Sequence, residues 1–271
     1  HLQVLSMSNN FLSGGLPYNI FKTMSLLQEM LVGSNALSGS LPSMSNQKLQ
    51  QLDISNNQFT GQIPGSIFKV PLLQTFSASV NCLSTDLPSS ICQATSMRNL
   101  LISGLQRSGN CKATSTAYVT LPSCIWSLSS LRQLYISGNS YSGKMENVDL
   151  GNLTSLSAGY NRLRGFVPSS FSNQTMKVFD ISKNMISGSL YDVNILPNPN
   201  SSQYHADVNR LSGPLSTGTI QLFPSVSILK GGLFSCTTLP SNDKDLQDYR
   251  CGSQDLEFSI YYYCIFLAVF V

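Results

Sequence analysis

The stretch SNNQFTGQIP at residues 55–64 occurs, with small changes, in other parts of the chain. SNNFLSGGLP at 8–17, GSNALSGSLP at 33–42 and GYNRLRGFVP at 159–168 keep an asparagine, an apolar residue two positions later, and an apolar–proline ending. A phrase that recurs along a chain indicates a repeated structural unit. The spacing between these asparagines therefore gives the length of the repeated unit.

The asparagine position returns at intervals of a little over twenty residues. In chain order, the ten copies place there Asn10, Asn35, Asn57, Asn81, Leu105, Asn139, Asn161, Asn184, Asn209 and Gly232. Eight of the nine successive gaps measure 22 to 25 residues, and the remaining gap measures 34. A period of about 20–29 residues is typical of leucine-rich repeats.

Apolar residues keep fixed places before each asparagine. Ahead of Asn57 stand Leu49, Leu52 and Ile54, and Phe59 follows it. Residues two apart share one face of a strand, and a face of this size is buried only when copies stack. The asparagine amide is expected to turn inward and pair with backbone groups at the bend, because an unpaired buried group costs about 1–3 kcal/mol. The pattern predicts an α/β solenoid of about ten repeats.

The complete phrase resembles the plant-type leucine-rich repeat over roughly residues 2–235. The best copies are LQQLDISNNQFTGQIP at 49–64 and LQVLSMSNNFLSGGLP at 2–17. The resemblance implies a right-handed superhelix with a parallel concave sheet, and a second short strand after each asparagine bend. It also implies the ectodomain of a receptor-like protein. Leu105 and Gly232 lack the amide, so these two bends need another source of hydrogen bonds.

Composition argues against catalysis and against nucleic acid as a partner. Only 11% of the residues are charged, compared with about 25% in typical soluble domains, and the net charge of +3 forms no basic stripe. The chain has two histidines, His1 and His205, which cannot supply the three ligands of a catalytic zinc site. No phosphate-binding glycine motif occurs. We therefore expect no enzyme activity, no metal and no cofactor.

The seven cysteines include no C-x-x-C pair, and six of them form two groups that suggest disulfides in an oxidising compartment. Cys236 and Cys251 flank the segment after the last repeat and are predicted to pair. The other four bracket the 34-residue gap and allow three pairings. The preferred pairing is Cys82–Cys111 with Cys92–Cys124. Buried free thiols are the alternative.

The order of segments predicts a cell-surface protein with a single membrane pass and its repeats outside. We assign residues 1–235 to the solenoid, with an insertion at about 106–120, and residues 236–257 to a cysteine-flanked cap and link. Residues 258–271, FSIYYYCIFLAVFV, carry no charge and are predicted to begin a transmembrane helix. A buried C-terminal strand or apolar cap is the alternative. Sequons at Asn152, Asn173 and Asn200 agree with a secreted context and glycosylation.

The residue between the last two apolar strand positions of each repeat should point to the concave face. This column is Ser6, Leu31, Asp53, Ser77, Leu101, Tyr135, Ser157, Asp180, His205 and Ile228. The candidate ligand-binding residues are Asp53, Tyr135, Asp180 and His205, with Asp207 in the next outward column. Tyrosine offers rigid area and a hydroxyl, and a floor of small residues allows close approach. The alternative is that all five are ordinary solvated strand residues.

The insertion carries Arg107 and Lys112, with Tyr118 nearby, and either binds ligand or only decorates the surface. The predicted function is binding of a peptide, glycan or partner ectodomain on the concave face, with a possible co-receptor. The alternative function is a secreted adhesion or hydrolase-inhibitor-like module without signalling.

Overall fold

The computed structural model describes residues 1–109, 111, 119–145, 151–198, 202–235, 237 and 239–251. Its main feature is one parallel sheet with a single strand from each of ten repeats, which confirms the predicted solenoid. The strands are Val4–Ser6, Glu29–Leu31, Gln51–Asp53, Thr75–Ser77, Asn99–Leu101, Gln133–Tyr135, Ser155–Ser157, Val178–Asp180, Gln203–His205 and Ser225–Ser227.

A second short strand follows the asparagine bend in most repeats, as the family resemblance implies. These strands form a four-stranded sheet, Ser13–Gly14, Ala36–Ser40, Gln58–Gly61 and Cys82–Leu83. They also form a six-stranded sheet, Val119–Thr120, Tyr141–Lys144, Arg162–Gly165, Met185–Gly188, Arg210–Gly213 and Leu233–Phe234. A further pair joins Thr175–Met176 to Leu196–Pro197.

Among the described residues, helical structure is limited to single turns between these strands and the next strand of the ten-stranded sheet, and to one turn near the C-terminal end of the described part. The α-helical turns are Ile20–Thr23 and Thr217–Ile220. The 3₁₀ turns are Ile67–Lys69, Ser89–Gln93, Ser123–Ser127, Ser169–Phe171 and Leu246–Asp248.

The core lies between the ten-stranded sheet and these turns. Leu52, Ile54, Leu156 and Ile181 are each at most 2% exposed, as the repeat pattern requires. Because the strands are in register, identical positions stack and apolar side chains meet their counterparts one repeat away. Phe179 and Tyr204 lie on adjacent strands with ring centroids 5.0 Å apart. Stacking thus buries a face that one repeat alone would leave in water.

Seven of the asparagine amides connect their repeat to the one before it. Asn161 Nδ2 donates to the carbonyl of Ala158 in its own repeat and to that of Ile136 in the preceding repeat, each at 3.0 Å. Its Oδ1 accepts the backbone N–H of Tyr141 at 2.9 Å. Because these partners are buried peptide groups, the amide replaces hydrogen bonds that the bend would otherwise forfeit.

The repeat without an asparagine uses its backbone for the same purpose. The carbonyl of Leu105 accepts the N–H of Leu83 at 2.8 Å, where another repeat would offer an asparagine oxygen. The N–H of Leu105 in turn donates to Asn139 Oδ1 at 2.8 Å. Only the side-chain amide is lost at this position, and the ladder continues through the long gap.

The last repeat corrects one predicted position. The sheet register pairs His205 with Ser227, not with Ile228, and Ile228 is buried. The prediction for Ile228 is therefore wrong, because this repeat has one extra residue between its strand and its bend. Asp243, from the segment that follows, accepts the N–H groups of Ile228 and Leu229 at 2.6 and 3.2 Å.

The disulfides of the central repeats join Cys82 to Cys111 and Cys92 to Cys124, the pairing that the sequence analysis preferred. Cys251 is also disulfide-bonded. Cys236 and residues 252–271 lie outside the described residues, and with them the predicted Cys236–Cys251 bridge and the predicted start of a membrane span. In the part of the chain that the structure describes, no helix has the length and apolarity needed to cross a membrane.

We expect Asn161→Leu to lower the free energy of unfolding by about 2–5 kcal/mol, because it leaves buried peptide groups of two repeats unpaired. Asn10→Leu is the matched control, since Asn10 is exposed and bonds only carbonyls of its own repeat. Its effect should stay below about 1 kcal/mol. Urea unfolding of both variants measures the difference, and equal losses would contradict the structural role of the amide ladder.

Removing a single hydroxyl should have opposite effects at two tyrosines. Tyr204 is fully buried, its hydroxyl has no partner in the described residues, and burial raises its pKa, so the group stays protonated and unsatisfied. Tyr204→Phe should stabilise the chain by about 1 kcal/mol. The Tyr249 hydroxyl accepts the N–H of Phe234 at 2.6 Å, so Tyr249→Phe should destabilise by about the same amount. Thermal midpoints that shift in the same direction for both variants would contradict this assignment.

Candidate functional site

The outward side of the ten-stranded sheet is here called the sheet face. It displays a column of residues, one from the end of each strand. Nine of the ten strands bury their central residue, the exception being Leu5 of the first strand, and most leave the residues beside it partly exposed. By register, Tyr135, Ser157, Asp180 and His205 are direct neighbours on four consecutive strands. Adjacent strands lie about 4.8 Å apart, so these four residues form one continuous surface, here called the recognition patch.

The aspartates of the sheet face are held by their own repeats. Asp180 Oδ1 accepts both the N–H and the hydroxyl of Ser182, at 3.0 and 2.7 Å. Asp180 Oδ2 receives no hydrogen bond from any described residue, so it can accept one from a ligand. A Cβ added to Gly159 on the preceding strand would lie 2.9 Å from both carboxylate oxygens, so a larger residue there would force the Asp180 carboxylate to move.

Asp53 repeats this arrangement elsewhere on the sheet face. Its Oδ1 accepts the N–H and hydroxyl of Ser55 at 2.9 and 2.6 Å, and a Cβ on Gly33 would lie 3.1 Å from Oδ2. Asp53 stands five strands from Asp180 in the sheet order, a distance of about 24 Å. The two aspartates therefore belong to separate parts of the surface, and the structure does not bring Asp53 into the recognition patch.

His205 and Asp207 differ in how much they present to a ligand. His205 is half-buried, and its Nε2 lies 3.1 Å from the Ser225 hydroxyl, so one ring nitrogen is engaged. Asp207 is only 6% exposed, and its position favours an electrostatic role over direct contact. The pKa of Lys183 is raised mainly by its hydrogen bond to Tyr160, and the charge of Asp207 raises this pKa further.

Two exposed residues beside the patch were not among the sequence-based candidates. Tyr160 and Lys183 occupy the position just before the asparagine in successive repeats, and Lys183 Nζ lies 4.0 Å from the Tyr160 ring centroid while donating to its hydroxyl. This position has a left-handed backbone in both residues, with φ of 54° and 52°. The column could have been identified from the repeat alignment, since it stands at a constant offset from the asparagine.

The sequon asparagines that the structure describes line one recess. Asn152 and Asn173 are both exposed, and together with Arg132 and Thr175 they border a recess of about 390 Å³. Each asparagine precedes a strand of the ten-stranded sheet. Asn200 lies outside the described residues. Within the described ranges, no group of three or more His, Cys, Asp or Glu side chains is placed to hold a metal ion.

These features define a repeat protein with a long, continuous sheet face. Residues 1–23, 48–70 and 152–174 match the Leucine Rich Repeat family. A comparison with curated protein sequences finds no match. Three segments of the chain thus match the leucine-rich repeat, and the chain has the fold of plant receptor ectodomains.

Solved plant structures share this fold. The Arabidopsis receptor kinase HAESA, in complex with the peptide hormone IDA and the co-receptor SERK1, is 21% identical, with a TM-score of 0.72 over 93% of this chain and 41% of its own. The plant peptide hormone receptor RGFR1, in complex with RGF2, is 23% identical, with a TM-score of 0.60 over 86% of this chain and 44% of its own. The chain thus spans less than half the length of these two receptors. A plant ice-binding protein is 20% identical, with a TM-score of 0.68 over 90% of this chain and 76% of its own.

We expect the Cys82–Cys111 bridge to protect the start of the insertion from proteolysis, because Cys111 lies only four residues after Arg107. Replacing both cysteines by serine should accelerate tryptic cleavage after Arg107 by about tenfold, which corresponds to about 1.4 kcal/mol of lost local stability. The Cys92/Cys124 double serine variant is the control. An unchanged cleavage rate after Arg107 in the first variant, measured by mass spectrometry, would contradict this expectation.

Proposed function

We propose that the chain is the extracellular ligand-binding region of a receptor-like membrane protein, and that it binds an extended peptide along the sheet face. The observation that carries this proposal is the recognition patch. Tyr135, Asp180 and His205 bring an aromatic surface, a carboxylate oxygen without a described donor and an imidazole to neighbouring strands. Such a mixture of rigid area and anchored polar groups is typical of recognition surfaces.

The low charge of the surface supports a ligand that is recognised through its shape and its hydrogen bonds. The outward column next to the patch contains Ser137, Gly159 and Ser182, which are small and leave room for a close backbone. The structural neighbours described as complexes with peptide hormones support a peptide as the ligand class. In this proposal the chain binds and does not catalyse.

The wider setting is also part of the proposal. The repeats would face the outside of the cell, the membrane would be reached through residues 258–271, and binding would change association with a co-receptor. HAESA is described in complex with a co-receptor, which supports this last step. Asn152 and Asn173 are exposed and are proposed to carry sugar, as is Asn200. A cell-wall glycan or a partner ectodomain remains the alternative ligand for the same face.

A second candidate is a secreted repeat module that binds without signalling, as adhesion proteins and hydrolase inhibitors do. It is favoured by the similarity to a plant ice-binding protein, because this chain spans 76% of that protein. The two candidates differ in location. A gene product that resists carbonate extraction from membranes supports the receptor, whereas release into the medium supports the secreted module.

We expect Tyr135→Ala and Asp180→Ala to weaken binding of the peptide selected from a secreted-peptide library by about 30-fold each, since hot-spot truncations cost about 2 kcal/mol or more. Tyr191→Ala and Asp192→Ala are matched controls, because both residues are exposed and lie outside the ten-stranded sheet. Their affinities should remain within about twofold of the unmodified chain.

Isothermal titration with the 271-residue chain measures all four affinities. Undiminished binding in both patch variants, with the same thermal midpoint as the unmodified chain, would exclude the recognition patch as the ligand site.

A further inference from the structure

The insertion places Arg107 against the rim of the sheet face. The N–H of Arg107 donates to the carbonyl of Gly104, and the N–H of Ser108 donates to that of Asn81, each at 3.0 Å. A Cβ added to Gly138 would lie 3.2 Å from Arg107 Nε and 3.3 Å from its Cζ. The guanidinium therefore lies directly over Gly138, where an added side chain would press against it.

Arg107 borders a pocket of about 210 Å³, here called the rim pocket. Val80 and Tyr160 stand at its two ends, and glycines form part of the floor between them. Val80 and Tyr160 are exposed and apolar over most of their surface, so the pocket combines apolar ends with one cation. The Cys82–Cys111 disulfide ties the insertion down next to it.

Serine hydroxyls on the floor are placed to donate hydrogen bonds. Ser103 Oγ accepts the N–H of Ser137, and Ser79 Oγ accepts the N–H of Ser103, each at 3.1 Å. The Ser103 hydroxyl has no acceptor among the described residues, so its proton is available to a ligand. Ser137 Oγ lies 2.8 Å from Ser157 Oγ, which connects the rim pocket to the recognition patch.

The charges around the pocket favour an anion on the Arg107 side. The Arg107 side chain forms no ion pair or hydrogen bond with any residue that the structure describes. Lys183 lies against Tyr160, and its hydrogen bond to Tyr160 is the main cause that raises the pKa of Lys183. Asp207 and Asp180 are also near enough to stabilise the charge of Lys183 and raise its pKa. Arg107 thus has unused donors and pairs with no carboxylate of the described residues, and a guanidinium binds a carboxylate through two parallel hydrogen bonds.

We propose that the rim pocket binds the carboxylate of an acidic side chain of the peptide ligand. The guanidinium of Arg107 and the hydroxyl of Ser103 donate to the carboxylate, while the methylene groups of the ligand contact Val80 and Tyr160. The proposal rests on the proposed function, because it assumes a peptide that lies along the sheet face. It adds a requirement for an Asp or Glu at the ligand position that reaches the insertion.

The test uses the 271-residue chain and phenylglyoxal, which modifies free arginine side chains, with modification of each arginine followed by mass spectrometry. The probe is N-acetylglutamate N-methylamide, and its glutamine analogue is the neutral control. At a concentration four times its Kd, the glutamate probe should slow modification of Arg107 about fivefold, as mass action requires. Arg98 and Arg164, both exposed, are controls within the same sample and should be unaffected.

Several outcomes would overturn the proposal. The first is equal protection of Arg107 by the glutamate and glutamine probes. The second is protection of Arg98 and Arg164 to the same extent as Arg107. The third is protection of Arg107 by galacturonate without protection by the glutamate probe. The last outcome would assign the pocket to an acidic glycan. Because the probe is not the full ligand, failure here leaves peptide binding at Tyr135 and Asp180 standing. Protection of Arg107 by the glutamate probe, when no library peptide binds the sheet face, would refute the proposed function and with it the peptide as the source of the carboxylate.

Discussion

The asparagine amide that bridges two repeats is the interaction on which the rest of this structure depends. Each sheet strand has only three residues, and the chain bends sharply after it, so many peptide groups would face the core unpaired. An amide such as that of Asn161 offers two donors and an acceptor, and it uses them on its own repeat and on the preceding one. The stacking that buries Leu156 therefore also satisfies the backbone around it.

The same stacking builds the surface. Since every strand is in register with the next, a residue type at one sequence position faces its counterpart about 4.8 Å away. Gly159 on the preceding strand leaves room for the Asp180 carboxylate where it lies, and Gly33 does the same for Asp53. Residues that hold the fold point inward and residues available for binding point outward, so the surface can change without loss of the core.

The sequence predicted which strand residues lie on the sheet face, but it did not predict the exposed residues beside the recognition patch. Tyr135, Asp180 and His205 were identified because their distance from the asparagine is constant, and the register shows them on nearby strands. Ile228 was placed wrongly because the last repeat has an extra residue between its strand and its bend, where Asp243 accepts the N–H groups of Ile228 and Leu229. A constant distance from the asparagine position cannot reveal one extra residue that is stabilised by a carboxylate from a later segment of the chain.

The sequence alone determined the number of repeats, the inward apolar faces and the ladder position of each asparagine, because these depend on local period and on the cost of unpaired polar groups. Only the tertiary structure decided the conformations that stacking imposes. Val80 and Val208 both adopt φ of 55°, which valine avoids in isolation, and neighbouring repeats hold them there. It also decided where Arg107 lies, since a disulfide and two glycines from separate repeats together create that space.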